Sequence, residues 1–145
     1  MPTSLGQRSA ADAPPSLRTF LAGLPEDEIL RISEPLDLDY LPTALILELE
    51  KQRRTPVVMI EHPNGFDGPV VANLFASRDR IARMAGAKPG GFNDAWSRAL
   101  NNLVPPTLAS GGPVHDRVVQ GNELDAGTLP ISRHYEKDAG RYIGS

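Results

Sequence analysis

Breaker residues recur so often along this sequence that it can hold only short elements joined by frequent turns: 14 prolines and 13 glycines interrupt 145 residues. Within that limit the apolar residues choose the elements. Residues 1–15 carry little that could be buried and read as a disordered tail. Ser16 suits a helix N-cap because Leu17, Phe20, Leu21 and Leu24 share one helical face, and Pro25 stops that helix. Ile29-Leu30-Arg31-Ile32 reads as a strand closed by Ser33-Glu34-Pro35. A helix over about residues 40–52 follows, with Asp39 as its N-cap and Leu41, Ala44, Leu45, Glu48 and Leu49 in one stripe.

The apolar run Pro56-Val57-Val58-Met59-Ile60 has strand length and the texture of a strand covered on both faces. Asn64-Gly65 supplies a turn, and Pro69-Val70-Val71-Ala72 reads as the returning strand. A third helix starts at Ser77, carries Ile81, Met84 and Ala85, and stops at Gly86. A fourth, capped by Asn93, places Trp96, Ala99, Leu100 and Leu103 on one face before Pro105-Pro106. Val114 to Gln120 reads as a strand, and Arg141-Tyr142-Ile143 as a last extended piece. The order predicts a mixed α/β layer with a strand-rich segment beginning near residue 112. Its core is expected to hold Val57, Val58, Met59, Ile60, Val70 and Val71, with Leu45, Leu49, Ile81, Trp96 and Leu100 packed over them.

Charge and composition exclude several functions. Fifteen basic residues against 18 acidic ones leave a net charge of −3, no basis for binding nucleic acid or an anionic membrane. The absence of cysteine removes thiolate catalysis, disulfides and cysteine-based zinc sites. No apolar run reaches the roughly 18–20 residues of a membrane span, and no signal peptide is legible, so a cytoplasmic location is expected.

Candidate chemistry is sparse. His62, His115 and His134 lack partners at metal-ligand spacing, so no metal site is predicted. His62 precedes Pro63 in a turn and reads as a surface group, and His115 beside Asp116 as structural or solvated. His134 lies in LPISRHYEKDAGRY, a polar stretch of the type that carries function. Glu123, Asp125, Glu136 and Asp138 could form a carboxylate cluster, although a solvated face explains them more simply. Arg31, Arg53, Arg54, Arg78, Arg80 and Arg83 read as surface-pairing residues. No nucleophile elbow, Gly-rich phosphate loop or dinucleotide fingerprint occurs.

Four blocks, in order, resemble the N-terminal region of the UbiD-like decarboxylases. They are Leu17–Leu24 with Ile29–Pro35; Ile46–Glu50 with Thr55–Ile60; Pro69–Ile81; and Gly112–Asp125 continuing through Leu129-Pro130-Ile131, His134 and Lys137–Ile143. His115 and the Ser132-Arg133 pair depart from the family pattern. The resemblance implies a reversible, non-oxidative carboxy-lyase of aromatic or α,β-unsaturated acids. Its cofactor would be prenylated FMN with a divalent metal, and a monovalent cation as a further option. It further implies a homo-oligomer, and a flavin prenyltransferase as cofactor supplier.

On this resemblance residues 16–111 would form the N-terminal α/β domain and 112–145 the start of a truncated, strand-rich cofactor-binding domain. The family's metal ligands and proton-handling residues lie beyond the last matched block, so no catalytic or cofactor-binding residue is assigned here. The chain is expected to be inactive alone and to need the remainder of the decarboxylase, in the same chain or a separate one. A non-catalytic subunit assembling with a catalytic partner is the alternative. His134, Asp138 and Ser145 are expected to border the cleft. Asp138, ahead of Ala139-Gly140, suits a tight turn in which its carboxylate accepts backbone N–H groups. Lacking strands to pair with, residues 132–145 are expected to be poorly ordered or borrowed by a neighbour's sheet edge.

Overall fold

The computed structural model describes residues 16–142. The tail over residues 1–15, Ile143 and Ser145 lie outside the described residues. The order is α1 (Leu17–Ala22), β1 (Ile29–Ile32), α2 (Leu41–Lys51), β2 (Val57–Ile60), β3 (Val70–Ala72), α3 (Arg78–Met84) and α4 (Phe92–Asn101). The sheet runs β1-β2-β3. β1 lies parallel to β2, in register from Ile29 opposite Val57 to Ile32 opposite Ile60, and α2 makes the crossover. β3 returns antiparallel, with Val58 opposite Ala72 and Ile60 opposite Val70.

That register, with side chains alternating along each strand, lines up Leu30, Ile32, Val58, Ile60, Val70 and Ala72 on one face. The same six side chains belong to the core, where Leu38, Leu49, Val58 and Ile60 are buried and Leu36, Leu45, Ile46 and Phe66 pack around them. Val57, on the opposite face, is fully buried as well. Met59, Val70, Val71, Leu45 and Ile81 are half-buried rather than enclosed.

Local signals explain where helices begin. Ser16 caps α1 through a reciprocal arrangement with Thr19, and the Ser77 hydroxyl accepts the Arg80 N–H at the start of α3. α3 ends at Met84 with Ala85 at its C-cap, one residue before the expected Gly86, which takes φ +68° while its N–H and that of Ala87 return to the Arg83 and Ala82 carbonyls.

Several expectations are corrected. Asp39 does not cap α2; Tyr40 occupies that position with φ +66°, because Asp39 turns toward Arg141. Gly91, not Asn93, sits at the N-cap of α4. Trp96 and Leu100 are 56% and 59% exposed and do not cover the sheet; α4 packs on α3, and Trp96 stacks on Phe92 with ring centroids 5.8 Å apart. Helical periodicity identifies an apolar face without identifying what covers it. Val114–Gln120 forms a 3-10 turn at Pro113–His115 and irregular, exposed chain instead of a strand. An apolar-rich run needs a partner edge to become a strand, and none lies beside it among the described residues. No helix of the described residues is long and apolar enough to cross a membrane.

Candidate functional site

The polar stretch singled out in the sequence returns to the start of α2. The Tyr40 N–H donates to the Arg133 carbonyl at 2.8 Å, and Asp39 and Arg133 form a one-residue parallel bridge. One residue on, His134 Nδ1 and the Thr43 hydroxyl are hydrogen-bonded at 2.8 Å. The His134 ring also meets the Tyr142 ring edge-on, with centroids 5.2 Å apart. Arg141 Nη2 lies 2.8 Å from Asp39 Oδ1 as an ion pair, off the angle that a hydrogen bond requires. The segment expected to be poorly ordered is therefore docked, as far as Tyr142.

Asp138 gathers the segment on itself. Its Oδ2 accepts the N–H groups of His134 at 3.0 Å and Tyr135 at 2.7 Å. Arg133 Nη2 donates to the carbonyls of Glu136 and Asp138, and Arg141 Nη1 to that of Ile131. A carboxylate holding two backbone donors is committed to the turn. A pocket of about 470 Å³ opens between Tyr40, Thr43, Ala44 and Leu47 of α2's first turns and His134, Tyr135 and Glu136. The structure thus brings His134 and Asp138 together, whereas Ser145 lies outside the described residues.

The other candidates stay apart. His62 is exposed in its turn, and His115 is exposed in the 3-10 turn. Asp125 caps the turn at Ala126–Thr128 through the Gly127 N–H, and Glu123 and Glu136 face solvent. Among the described residues no three His, Asp or Glu side chains converge to hold a metal ion.

A second polar centre escaped the sequence reading. Arg80, taken there as a surface residue, is 2% exposed. It closes the end of the sheet where β1 and β2 begin and β3 finishes. Its Nη1 donates to the Asn73 and Leu74 carbonyls, both at 3.2 Å, and its Nη2 to the Thr55 carbonyl at 2.6 Å. Nε lies 3.6 Å from Glu28 Oε2, beside which Arg83 also pairs with Glu28. Asn73 adopts φ +59° and donates its amide to the Pro56 carbonyl, fixing the bend that aims two carbonyls at Arg80. The signal was faint: an arginine three residues after a helix cap whose neighbours, Arg78 and Asp79, are exposed.

The Arg83 hydrogen bond holds the Glu28 carboxyl below its ordinary value of 4.5, outweighing the upward push of burial, and the charges of Arg83 and Arg80 act the same way. A group depressed in the folded state contributes stability above its unfolded pKa, and that contribution is lost as pH falls through the folded pKa. The stability gap between wild type and Glu28→Gln is therefore expected at neutral pH and to shrink once pH drops below 4.5. Urea midpoints across that range check it; a gap that grows on acidification contradicts the arrangement.

Residues 25–100, over half of the chain, match the family model of the 3-octaprenyl-4-hydroxybenzoate carboxy-lyase N-terminal domain, UbiD_N. The chain belongs to the UbiD family. Among solved structures, this UbiD chain is similar to an evolved dimeric form of the UbiD-class enzyme HmfF from Pelotomaculum thermopropionicum in complex with prenylated FMN. The two share 30% identity at a TM-score of 0.75. HmfF in complex with FMN matches at 28% identity and a TM-score of 0.73, over 87% of the UbiD chain. The first match covers 88% of this chain but 30% of the HmfF chain, so the UbiD chain spans under a third of that relative's length. Both the Arg80 centre and all of α2 lie within the residues matched by the family model.

Proposed function

We propose that this chain supplies the N-terminal part of a reversible, non-oxidative carboxy-lyase that acts on aromatic or α,β-unsaturated acids with prenylated FMN. The observation that carries the reading is the match of residues 25–100 to the UbiD N-terminal domain, joined by structural likeness to an enzyme that holds this flavin. In this reading residues 16–111 are the N-terminal domain, and 112–145 lead into the cofactor-binding domain. His134 and Asp138 border the cleft, as does Ser145. A homo-oligomer, a cytoplasmic location and supply of the cofactor by a flavin prenyltransferase accompany it.

In this reading the flavin and its divalent metal are held by residues of the enzyme other than 16–142. No metal-capable trio converges there, Asp138 is engaged by two backbone donors, and His134 by Thr43. The catalytic set belongs to other residues of the enzyme, and the chain is inactive alone. Exposed apolar side chains from Leu103 (81%) and Val104 (87%) to Leu108 (99%) and Val114 (81%) suit contact with that remainder.

The test has two arms. Given prenylated FMN, a divalent metal and cinnamate- or benzoate-type acids, the chain should release no carbon dioxide above background; saturable release overturns the inactivity. A chimera in which residues 16–142 replace the matched part of HmfF should bind the flavin, by absorbance, and turn over. A chimera that folds and binds the flavin without turnover overturns the decarboxylase reading.

A further inference from the structure

The start of α2 carries strain that its own residues do not explain. The Leu41 N–H donates to the Asp39 carbonyl at 2.8 Å across Tyr40, whose φ of +66° and ψ of −31° make a left-handed γ-turn. That hand of γ-turn is rare and strained, more so for a bulky residue with a Cβ. A strained backbone persists only where its surroundings over-determine it. Here two of the restraints come from far along the chain. The Arg133 carbonyl takes the Tyr40 N–H, and the Arg133 guanidinium lies 5.7 Å over the Tyr40 ring.

The segment supplying those restraints is tied together as a unit. Asp138, Arg133 and Arg141 tie its backbone together internally, through the bonds to His134, Tyr135, Glu136 and Ile131. Its hold on the rest of the protein is polar. It consists of the Tyr40–Arg133 and Thr43–His134 hydrogen bonds, the Asp39–Arg141 ion pair, and the Arg141 guanidinium 5.9 Å over Phe66. Of its large apolar groups, Leu129, Tyr135 and Tyr142 are 50%, 55% and 50% exposed, and Ile131 alone is half-buried. Among the described residues, the fully buried apolar set ends at Ala82. Segments with few buried apolar contacts open at lower free energy than the core.

We propose that residues 129–142 form a detachable strap whose docking and the γ-turn at Tyr40 are one two-state clasp. When the strap leaves, Tyr40 loses both the acceptor and the cation that hold it and relaxes to an ordinary backbone. The first helical bond of α2, from the Ala44 N–H to the Tyr40 carbonyl, shifts with it. Release also removes one wall of the pocket beside His134. The inference concerns this chain alone and does not depend on the decarboxylase reading.

Amide hydrogen exchange read by NMR on the 145-residue chain tests it. Arg141→Gln removes the ion pair to Asp39, and His134→Ala removes the bond to Thr43; the contacts of Tyr40 to the strap are instead with Arg133. In each variant the Tyr40 amide should exchange faster by at least about tenfold, with Val58 and Ile60 exchanging as in wild type. Thr43→Val, which deletes the same hydrogen bond from the helix side, should reproduce the His134→Ala result. An unchanged Tyr40 amide in any of the three overturns the coupling. Equal acceleration at Val58 and Ile60 overturns it too, because the whole fold has then loosened.

Discussion

Arg80→Ala is expected to destabilise the protein by about 3–5 kcal/mol, the range for breaking a buried charged network by removing one partner. The substitution strips hydrogen bonds from the carbonyls of Thr55, Asn73 and Leu74 at once, in a place where the guanidinium itself is 2% exposed. Arg80→Lys should recover little, since one ammonium cannot reproduce the planar fork that reaches two strand ends. Arg78→Ala, on the exposed side of the same helix, should change stability by no more than about 0.5 kcal/mol. Urea unfolding of the three variants decides the matter. A loss below about 1 kcal/mol for Arg80→Ala would mean that water replaces the guanidinium at no great cost.

The second large effect belongs to Leu49. It is 4% exposed and shares the core cluster with Leu38, Val58 and Ile60. Truncation to alanine should cost about 2–5 kcal/mol through lost transfer energy and the cavity left behind. Trp96 is the larger side chain, yet at 56% exposed its replacement by alanine should cost about 1 kcal/mol or less. Thermal or urea unfolding that ranks Trp96→Ala above Leu49→Ala would show that α4 covers more of the core than the structure places there.

These two contrasts mark what could be read from the chain in advance. The strands over Ile29–Ile32, Val57–Ile60 and Val70–Ala72 were legible because short apolar runs bounded by Pro, Gly and Asn leave few alternatives. Ser16 and Ser77 were legible as caps because a hydroxyl before an apolar-periodic run satisfies an orphan N–H locally. Arg80 was not legible: its burial depends on three carbonyls delivered by chain up to 25 residues away. Trp96 was misplaced because its helix has a clear apolar side but leans chiefly on α3. Tyr40 in place of Asp39 has the same origin, since the Arg133 and Arg141 contacts that set that corner come from the far end of the described residues. The Asp138 contacts are local in sequence: the carboxylate accepts backbone N–H groups as its residue type suggested, but from His134 and Tyr135 before it rather than in the expected turn at Ala139-Gly140.

The crossover between β1 and β2 has a consequence for the order of assembly. β2 and β3 lie close in sequence and can zip early, whereas pairing Ile29 with Val57 requires closure of a loop that contains all of α2. Arg80 draws together Glu28, Thr55 and Asn73, so its bonds can form only after both pairings exist. It is a late keystone, and its contribution falls on the unfolding side of the barrier. A chain that loses Arg80 should still collapse at close to its normal speed, then come apart sooner. The residue thus governs how long the native state lasts more than how quickly it is reached.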